Sequence, residues 1–97
     1  MLRIVFAPQA LDDLERLTDF LIENDKNAAL RTIELIEEAI QILKRHPLVG
    51  RLCDGCLREL VISRGKSGYV ALYSFEESKN MILINAIRHQ KESGGVY

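Results

Sequence analysis

Two consecutive amphipathic segments constrain what this chain can fold into more than any other feature of its sequence. Between Gln9 and about Asn24, and again between Ala28 and His46, apolar residues recur at steps of three and four. They are Ala10, Leu14, Leu17 and Leu21 in the first segment and Ala29, Ile33, Ile36, Ile40 and Leu43 in the second. This spacing predicts two helices, each with one apolar stripe. Because only the short polar stretch 23–27 separates them, we expect an antiparallel hairpin whose stripes face a common partner.

The ends of both predicted helices carry recognisable signals. Pro8 suits the first turn of a helix, and the early carboxylates, Asp13 among them, should interact favourably with the positive end of the helix dipole. Either Asp25 or Asn27 can cap the second helix, which should end before Pro47.

The remaining segments predict strands. Residues 2–6 place Leu2, Ile4 and Phe6 on one face and stop before Pro8, which is typical of a short opening strand. Three further segments rich in β-branched and aromatic residues follow the turn-rich stretch 47–55, and they are residues 57–63, 68–75 and 81–87. The linkers between them are short and polar, which predicts an antiparallel meander. The expected fold is α+β, in the order β-α-α-β-β-β, with an antiparallel sheet packed against a helical hairpin.

Length and composition limit the classes of protein to which the chain can belong. We expect the 97 residues to form a single domain, residues 1–97, with the 47% hydrophobic and 28% charged content of an ordinary globular protein. The longest apolar runs are far shorter than the roughly 20 residues of a membrane-spanning helix. The first eight residues lack the apolar length of a signal peptide. We therefore expect a cytoplasmic protein with no membrane association.

Charge is distributed unevenly along the chain. Residues 1–56 contain seven Lys or Arg and ten Asp or Glu, whereas residues 57–97 contain six and four, so that charges of −3 and +2 sum to the net charge of −1. The near-neutral total does not indicate a nucleic-acid-binding protein. The basic residues of the second part are therefore candidates for contacts with a target.

The two cysteines, Cys53 and Cys56, form a single Cys-Asp-Gly-Cys motif. A structural zinc site needs two further ligands close by, and the only histidines are His46 and His89. Thioredoxin-like redox motifs accompany a strand–helix–strand unit, whereas this motif follows two helices and precedes a strand. We interpret it as a reduced, solvated turn and expect no metal and no cofactor.

Several motifs resemble the RelE/ParE toxin superfamily and together cover nearly the whole chain. Residues 7–14, Ala-Pro-Gln-Ala-Leu-Asp-Asp-Leu, resemble the family's opening, where a strand runs through a small residue into an Ala-x-x-Asp-Leu helix start. Residues 46–51 are similar to the His-Pro-x-x-Gly-Arg turn after the second helix of ParE-like members, and residues 58–60 match their Arg-Glu-Leu strand start. Residues 68–73 and 87–92 resemble the central strand and the histidine-centred segment after the last strand.

The resemblance implies the toxin of a bacterial type II toxin–antitoxin pair. Such a toxin inhibits growth when free and is silenced by a cognate antitoxin, ParD-like or other, whose disordered C-terminal segment wraps it in a hetero-oligomer. RelE-like members cut messenger RNA on the ribosome, and ParE-like members inhibit DNA gyrase. A third possibility is an inactive plasmid-stabilisation module that only binds its antitoxin.

Residue 70 bears on the choice between the two targets. RNA cleavage through the 2′-hydroxyl needs a base, an acid and cations that stabilise the charge on the phosphoryl oxygens. Ribonuclease relatives carry an Arg directly after the Gly-Tyr pair of the central strand, where this chain has Val70. Lys91 and Tyr97 stand about where those relatives have a second Arg and a Tyr, although a lysine lacks the guanidinium fork. We therefore favour gyrase inhibition without enzymatic activity over a ribosome-dependent endoribonuclease, whose catalytic set would be Arg58, His89, Lys91 and Tyr97.

Two groups of side chains are candidate binding residues. The candidate target contacts are the basic residues Arg51, Arg58, Arg64, Lys66, Arg88, His89 and Lys91. The candidate antitoxin contacts are the apolar residues Leu14, Leu17, Leu21, Tyr69, Tyr73 and Phe75. Each group has a structural alternative: the basic residues can be solvated or paired with nearby acidic groups, and the three aromatic residues, which share one strand face, can belong to the core.

Overall fold

The computed structural model describes residues 2–63 and 68–89, and its elements follow the predicted order with one additional strand. The helices are α1 (Pro8–Asn24) and α2 (Lys26–Arg45). The strands are β1 (Arg3–Phe6), β2 (Arg51–Asp54), β3 (Leu57–Ser63), β4 (Tyr69–Glu76) and β5 (Met81–His89), and a 3₁₀ turn (Glu77–Lys79) precedes β5. The predicted α+β class, a sheet packed against a helical hairpin, is confirmed.

The five strands form one sheet in the order β1-β5-β4-β3-β2. The strands from β2 to β5 form an antiparallel meander, as predicted for β3 to β5. The opening strand β1 instead pairs parallel with β5, from Arg3 opposite Met81 to Phe6 opposite Ile84. A meander leaves only its two outermost edges unpaired, and β1 lies on the β5 edge. The sequence prediction of a wholly antiparallel sheet therefore needs this one correction.

Strand β2 was missed by the sequence prediction, which assigned residues 47–55 to a turn. All four β2 residues, Arg51–Asp54, are exposed, so the strand has no alternation of buried and exposed side chains to detect. A two-residue connection joins it to β3. Gly55 has φ +56° at the first loop position, the position that type II′ hairpin turns reserve for glycine.

Both helices pack on the same face of the sheet, here named the covered face. The predicted apolar stripes supply the helix side of this core, and the fully or nearly buried strand residues are Tyr69, Ala71, Tyr73, Ile82, Ile84 and Ile87. The opposite face, here named the open face, carries Val61, Val70, Leu72 and Ala86. Within residues 2–63 and 68–89, no helix lies over the open face. Neither α1 nor α2 is long and apolar enough to cross a membrane.

Helix α2 begins as predicted. The carboxylate of Asp25 accepts hydrogen bonds from the backbone N–H groups of Asn27 at 3.0 Å and Ala28 at 3.3 Å. Such an N-cap satisfies donors that the first turn of a helix leaves without partners.

Asp13 connects helix α1 to strand β5. Its Oδ2 accepts a hydrogen bond from the buried backbone N–H of Ile87 at 2.9 Å, and its Oδ1 accepts from Gln9 Nε2 at 2.9 Å and Arg16 Nη2 at 3.3 Å. Pairing between β1 and β5 ends at Ile84, so the carboxylate replaces a strand as the partner of Ile87. The predicted role of Asp13 at the helix dipole is therefore wrong, because the first turn contains no acidic residue and Asp13 is only 3% exposed.

We predict that Asp13→Ala lowers the free energy of unfolding by about 2 kcal/mol or more, because the buried N–H of Ile87 would lose its acceptor. The matched control is Asp12→Ala, which removes an exposed carboxylate from the neighbouring position and should change stability by less than about 0.5 kcal/mol. Urea unfolding of both variants measures the difference. Equal effects of the two substitutions would contradict the assigned role.

Candidate functional site

A polar cluster around Tyr73 joins the turn after α2 to the sheet. The hydroxyl of Tyr73 donates a hydrogen bond to the carbonyl oxygen of Pro47 at 2.8 Å and accepts one from the backbone N–H of Gly50 at 2.8 Å. Its side chain is fully buried. Both atoms bonded to the hydroxyl belong to the His-Pro-x-x-Gly-Arg motif, so the structure gives this motif a physical reason: it positions the turn on β4.

The close approach of Tyr73 to the backbone requires a glycine at position 50. A Cβ atom at Gly50 would lie 2.6 Å from Tyr73 Cε1, 2.7 Å from the Tyr73 hydroxyl oxygen and 3.0 Å from the carbonyl oxygen of Glu59. No side chain fits at such distances without displacing the ring or the β3 backbone. Sequence reasoning did not identify Gly50 as a structural residue, although the glycine of the motif was visible.

Arg58 belongs to the same cluster. Its Nη1 donates hydrogen bonds to the carbonyl oxygens of Gly50 at 2.8 Å and Leu48 at 3.3 Å, and the residue is half-buried. It lies opposite Tyr73 in the β3–β4 register, so it belongs to the covered face. One nitrogen of the Arg58 guanidinium therefore helps to hold the turn in place. The described partners of Arg58 are backbone carbonyls, whereas the sequence had suggested pairing with a nearby acidic side chain.

Arg51, Arg88 and His89 are the other described candidates for target contacts. Arg51 lies on the open face, where its Nη2 pairs with Glu59 Oε1 at 2.9 Å while 77% of its side chain remains exposed. Arg88 lies opposite Val70 and is also on the open face. His89 lies opposite Tyr69 on the covered face, and their rings meet edge-to-face with centroids 5.2 Å apart. The two consecutive residues at the end of β5 therefore point to opposite faces.

The candidates Arg64, Lys66, Lys91 and Tyr97 lie outside the described residues.

The structure does not bring Arg58 and His89 together. Their strand partners on β4, Tyr73 and Tyr69, are four residues apart, and β3 and β5 lie on opposite sides of β4. With about 3.4 Å per residue along a strand and about 4.8 Å between strands, the two Cα atoms are separated by about 17 Å. The described members of the candidate ribonuclease set therefore do not converge on one position.

The candidate antitoxin contacts differ in how far their side chains are buried. Leu17, Tyr69 and Tyr73 are 6%, 4% and 0% exposed, so in this conformation they are core residues with little or no surface for a partner. Leu14, Leu21 and Phe75 are half-buried and retain accessible surface.

An apolar groove runs between β1 and the two helices. Its walls are formed by Ile4, Phe6, Leu14, Ile33, Ile36, Glu37, Ile40 and Gln41. Of the candidate antitoxin contacts, Leu14 lines this groove. The sequence interpretation expected apolar side chains of the helices to contact an antitoxin, but it named no residue of α2 among the candidates.

Burial raises the pKa of the Tyr73 hydroxyl above its ordinary value of 10.0, because a phenolate would be poorly solvated in the core. The hydrogen bond from Gly50 and the positive charge of Arg58 act in the opposite direction and reduce the shift. Tyr73 is therefore a neutral hydrogen-bonding group at physiological pH.

The sequence model of one family, described as "ParE toxin of type II toxin-antitoxin system, parDE", matches residues 4–94. The chain belongs to this family of toxins. Two relatives from Caulobacter vibrioides are similar to it. "Toxin RelE3" is 34% identical over 92 residues, which cover 95% of this chain and 98% of the relative. "Toxin RelE1" is 36% identical over 70 residues, which cover 72% and 75%.

Two solved structures share the fold of the toxin. One is described as "Chromosomal ParDE TA system from P. aeruginosa", with a TM-score of 0.75 at 20% identity over 92% of this chain and 96% of that chain. The other is the toxin–antitoxin complex RelBE2 from Mycobacterium tuberculosis, with a TM-score of 0.61 at 22% identity over 91% and 96%. The predicted RelE/ParE superfamily is confirmed. Because ParE and RelE names both occur among these proteins, membership alone does not choose the target.

We predict that Gly50→Ala destabilises the toxin by about 3 kcal/mol, since the new methyl group would force Tyr73 or the β3 backbone to move. The matched control is Val49→Ala, which changes an exposed neighbour and should cost less than about 1 kcal/mol. Chemical unfolding measures both values. A Gly50→Ala variant as stable as the control would show that the turn is not fixed by Tyr73.

We predict that Tyr73→Phe costs about 1–3 kcal/mol at neutral pH, because Gly50 N–H would lose its buried acceptor. The folded-state pKa of Tyr73 is raised, so its contribution is complete below pH 10 and is lost as the pH rises through the folded-state value. The stability difference between wild type and Tyr73→Phe should therefore be constant from about pH 7 to 9 and shrink above about pH 10. Urea unfolding across this range tests the sign, and a difference that grows with pH would contradict it.

Proposed function

We propose that this toxin acts by binding DNA gyrase and that an antitoxin silences it by covering its apolar surface. The separation of Arg58 and His89 supports a binding mechanism over a catalytic one. Groups that act on one phosphate must lie within hydrogen-bonding distance of the reacting atoms, about 3 Å, in the reactive complex. The Cα atoms of Arg58 and His89 are about 17 Å apart by register, and Nη1 of Arg58 is directed to the carbonyl oxygens of Leu48 and Gly50, so the two side chains would have to reorient to meet at one phosphate.

The hydrogen bonds of Arg58 support the same proposal. Stabilising a phosphoryl oxygen requires a guanidinium that can turn toward it. Nη1 of Arg58 is already bound to Gly50 and Leu48, and its release would leave two backbone carbonyls without this donor. Arg58 is thus better suited to holding the turn than to contacting RNA.

Val70 supports the proposal independently. It is 5% exposed on the open face, between Val61 and Arg88 of the neighbouring strands. An apolar side chain at this position cannot supply the positive charge that ribonuclease relatives place there. It instead packs as a buried apolar residue beside Val61.

The open face has the composition of a protein-binding surface. Its accessible apolar part contains the half-buried Val61 and Leu72, and Arg51 and Arg88 lie on either side, about 16 Å apart by strand register. Protein interfaces commonly combine an apolar centre with a polar rim in which arginine is enriched. We propose this face as the surface that contacts gyrase.

The groove between β1 and the helices is the proposed antitoxin site. An amphipathic segment that folds on binding can place its apolar face against the half-buried Phe6, Leu14 and Ile33, with a basic residue beside Glu37. Both structural neighbours are toxin–antitoxin systems, one ParDE and one RelBE2, which supports an antitoxin as the partner.

A ribosome-dependent endoribonuclease is the second candidate, because both relatives from Caulobacter vibrioides carry RelE names. Its catalytic set would include Lys91 and Tyr97, which lie outside the described residues.

We expect the purified toxin to inhibit supercoiling of a relaxed plasmid by purified gyrase and to leave messenger RNA on translating ribosomes intact. Added together, Arg51→Ala and Arg88→Ala should raise the toxin concentration for half-inhibition by about tenfold or more, since interface arginines each contribute on the order of 1 kcal/mol. Arg31→Ala, which removes an exposed arginine of α2, is the matched control and should have little effect.

The ribonuclease is tested in the same preparation with His89→Ala and Lys91→Ala. Transcript cleavage that these substitutions abolish, together with unaffected gyrase, would overturn the proposal in favour of the second candidate. Loss of both activities in a chain that still binds its antitoxin would identify an inactive module.

A further inference from the structure

Two cysteines, Cys53 and Cys56, lie at the tip of the β2–β3 hairpin. Cys53 is the third residue of β2 and Cys56 is the second residue of the two-residue loop, so that only Asp54 and Gly55 separate them. Both thiols are free and exposed. Neither contributes to the core or to the proposed binding surfaces.

A β-bulge directs the Cys53 side chain across the hairpin. In the β2–β3 register Leu52 lies opposite Arg58 and Asp54 opposite Leu57, which leaves Cys53 as the extra residue. Bulges commonly redirect the side chain of the extra residue. The Cys53 thiol donates a hydrogen bond to the carbonyl oxygen of Leu57 at 3.5 Å, so it points toward the residue that directly follows Cys56.

The turn at Gly55 lies between the two cysteines. Its positive φ of +56° reverses the chain between them, and a Cβ at this position would have no neighbour within 4 Å, so the tip is open. The paired ends of this reversal are Asp54 and Leu57, whose Cα atoms lie less than about 7 Å apart, and each cysteine directly precedes one of them. Cys53 Sγ reaches across the hairpin to the carbonyl oxygen of Leu57, so closure of a disulfide needs the open tip to bring Cys56 within the Cα separation of up to about 6.8 Å that disulfides span.

We propose that Cys53 and Cys56 form a reversible redox modification site whose oxidant is a peroxide. One thiolate attacks a peroxide oxygen, which breaks the O–O bond and yields a sulfenic acid and one hydroxide that is protonated to water. The second thiolate then attacks the sulfenic sulfur and displaces its oxygen as a second water. The cysteine sulfurs lose two electrons in total and the peroxide gains them. A dithiol reverses the reaction by thiol–disulfide exchange.

The surroundings favour a disulfide over a metal ion. Among the described residues, no group of three or more His, Cys, Asp or Glu side chains is placed to hold a metal. Two thiolates alone do not complete the tetrahedral set that zinc takes in structural sites. The proposal is independent of which target the toxin meets.

The test starts from the purified, fully reduced chain, which is treated with hydrogen peroxide. The reaction is quenched with an alkylating agent, and the product is analysed by intact-mass spectrometry. We expect a monomer lighter by the mass of two hydrogen atoms, complete loss of alkylation at both thiols, and full recovery after dithiothreitol. Peptide mapping should place the cross-link between Cys53 and Cys56. Two thiols that stay alkylatable, or dimers linked between chains, would overturn the proposal.

Two controls separate the folded geometry from mere proximity in sequence. Cys53→Ser and Cys56→Ser should each fail to form the internal disulfide and should accumulate a sulfenic acid that a dimedone probe captures. In urea, which removes the hairpin, closure of the wild-type disulfide should slow by about tenfold or more, since the bulge no longer positions the Cys53 thiol. Equal rates in the folded and unfolded chain would show that the structure makes no contribution.

Discussion

A buried carboxylate joins the two ends of this fold. Asp13, in the second turn of α1, accepts the backbone N–H of Ile87 at the point where β1 no longer lies beside β5. The contact joins α1 to β5 just beyond the parallel β1–β5 pair, and without it the buried N–H of Ile87 would have no acceptor. Tyr73 has the same role at the other end of the hairpin, where its hydroxyl holds the turn that follows α2. Two polar anchors therefore define where the apolar stripes meet the sheet.

The periodic elements were predictable from sequence, because their signals are local. The spacing of apolar residues such as Ala10, Leu14 and Leu17 indicates a helix regardless of which element packs against it. The Asp25 cap is also local, because its hydrogen bonds involve only the next three residues. The pairing of β1 was not predictable in this way, since it joins segments separated by the rest of the domain. Strand β2 gave no signal either, because an exposed edge strand has no buried face and its Cys-Asp-Gly-Cys sequence has the composition of a turn.

The candidate site was only partly predictable, because register decides the face to which each basic residue points. Sequence placed Arg88 and His89 side by side, whereas the structure assigns them to opposite faces. A shift between Leu72 and Tyr73, which leaves Asn85 as the extra residue in β5, further alters the alternation, so that Ile84 and Ile87 both reach the core. Bulges of this kind depend on neighbouring strands and have no reliable local signal. Gly50 differs from these residues, because its motif was recognisable in the sequence. Only its contact with Tyr73 could not be inferred.

The contacts that hold this fold are made by a different set of side chains from those proposed to meet a target. Asp13, Gly50 and Tyr73 are fixed by the helices, the turn and the sheet, so a toxin of either activity can keep them without any consequence for its target. The target must be chosen by side chains that the fold does not need. On the described part of this chain, the exposed Arg51 and the half-buried Arg88 meet that condition, whereas Arg58 is held by the turn. Under the proposed function, substitutions on the open face would alter the contacts with the target while these core contacts stay the same, in line with the general rule that one fold can host unrelated activities.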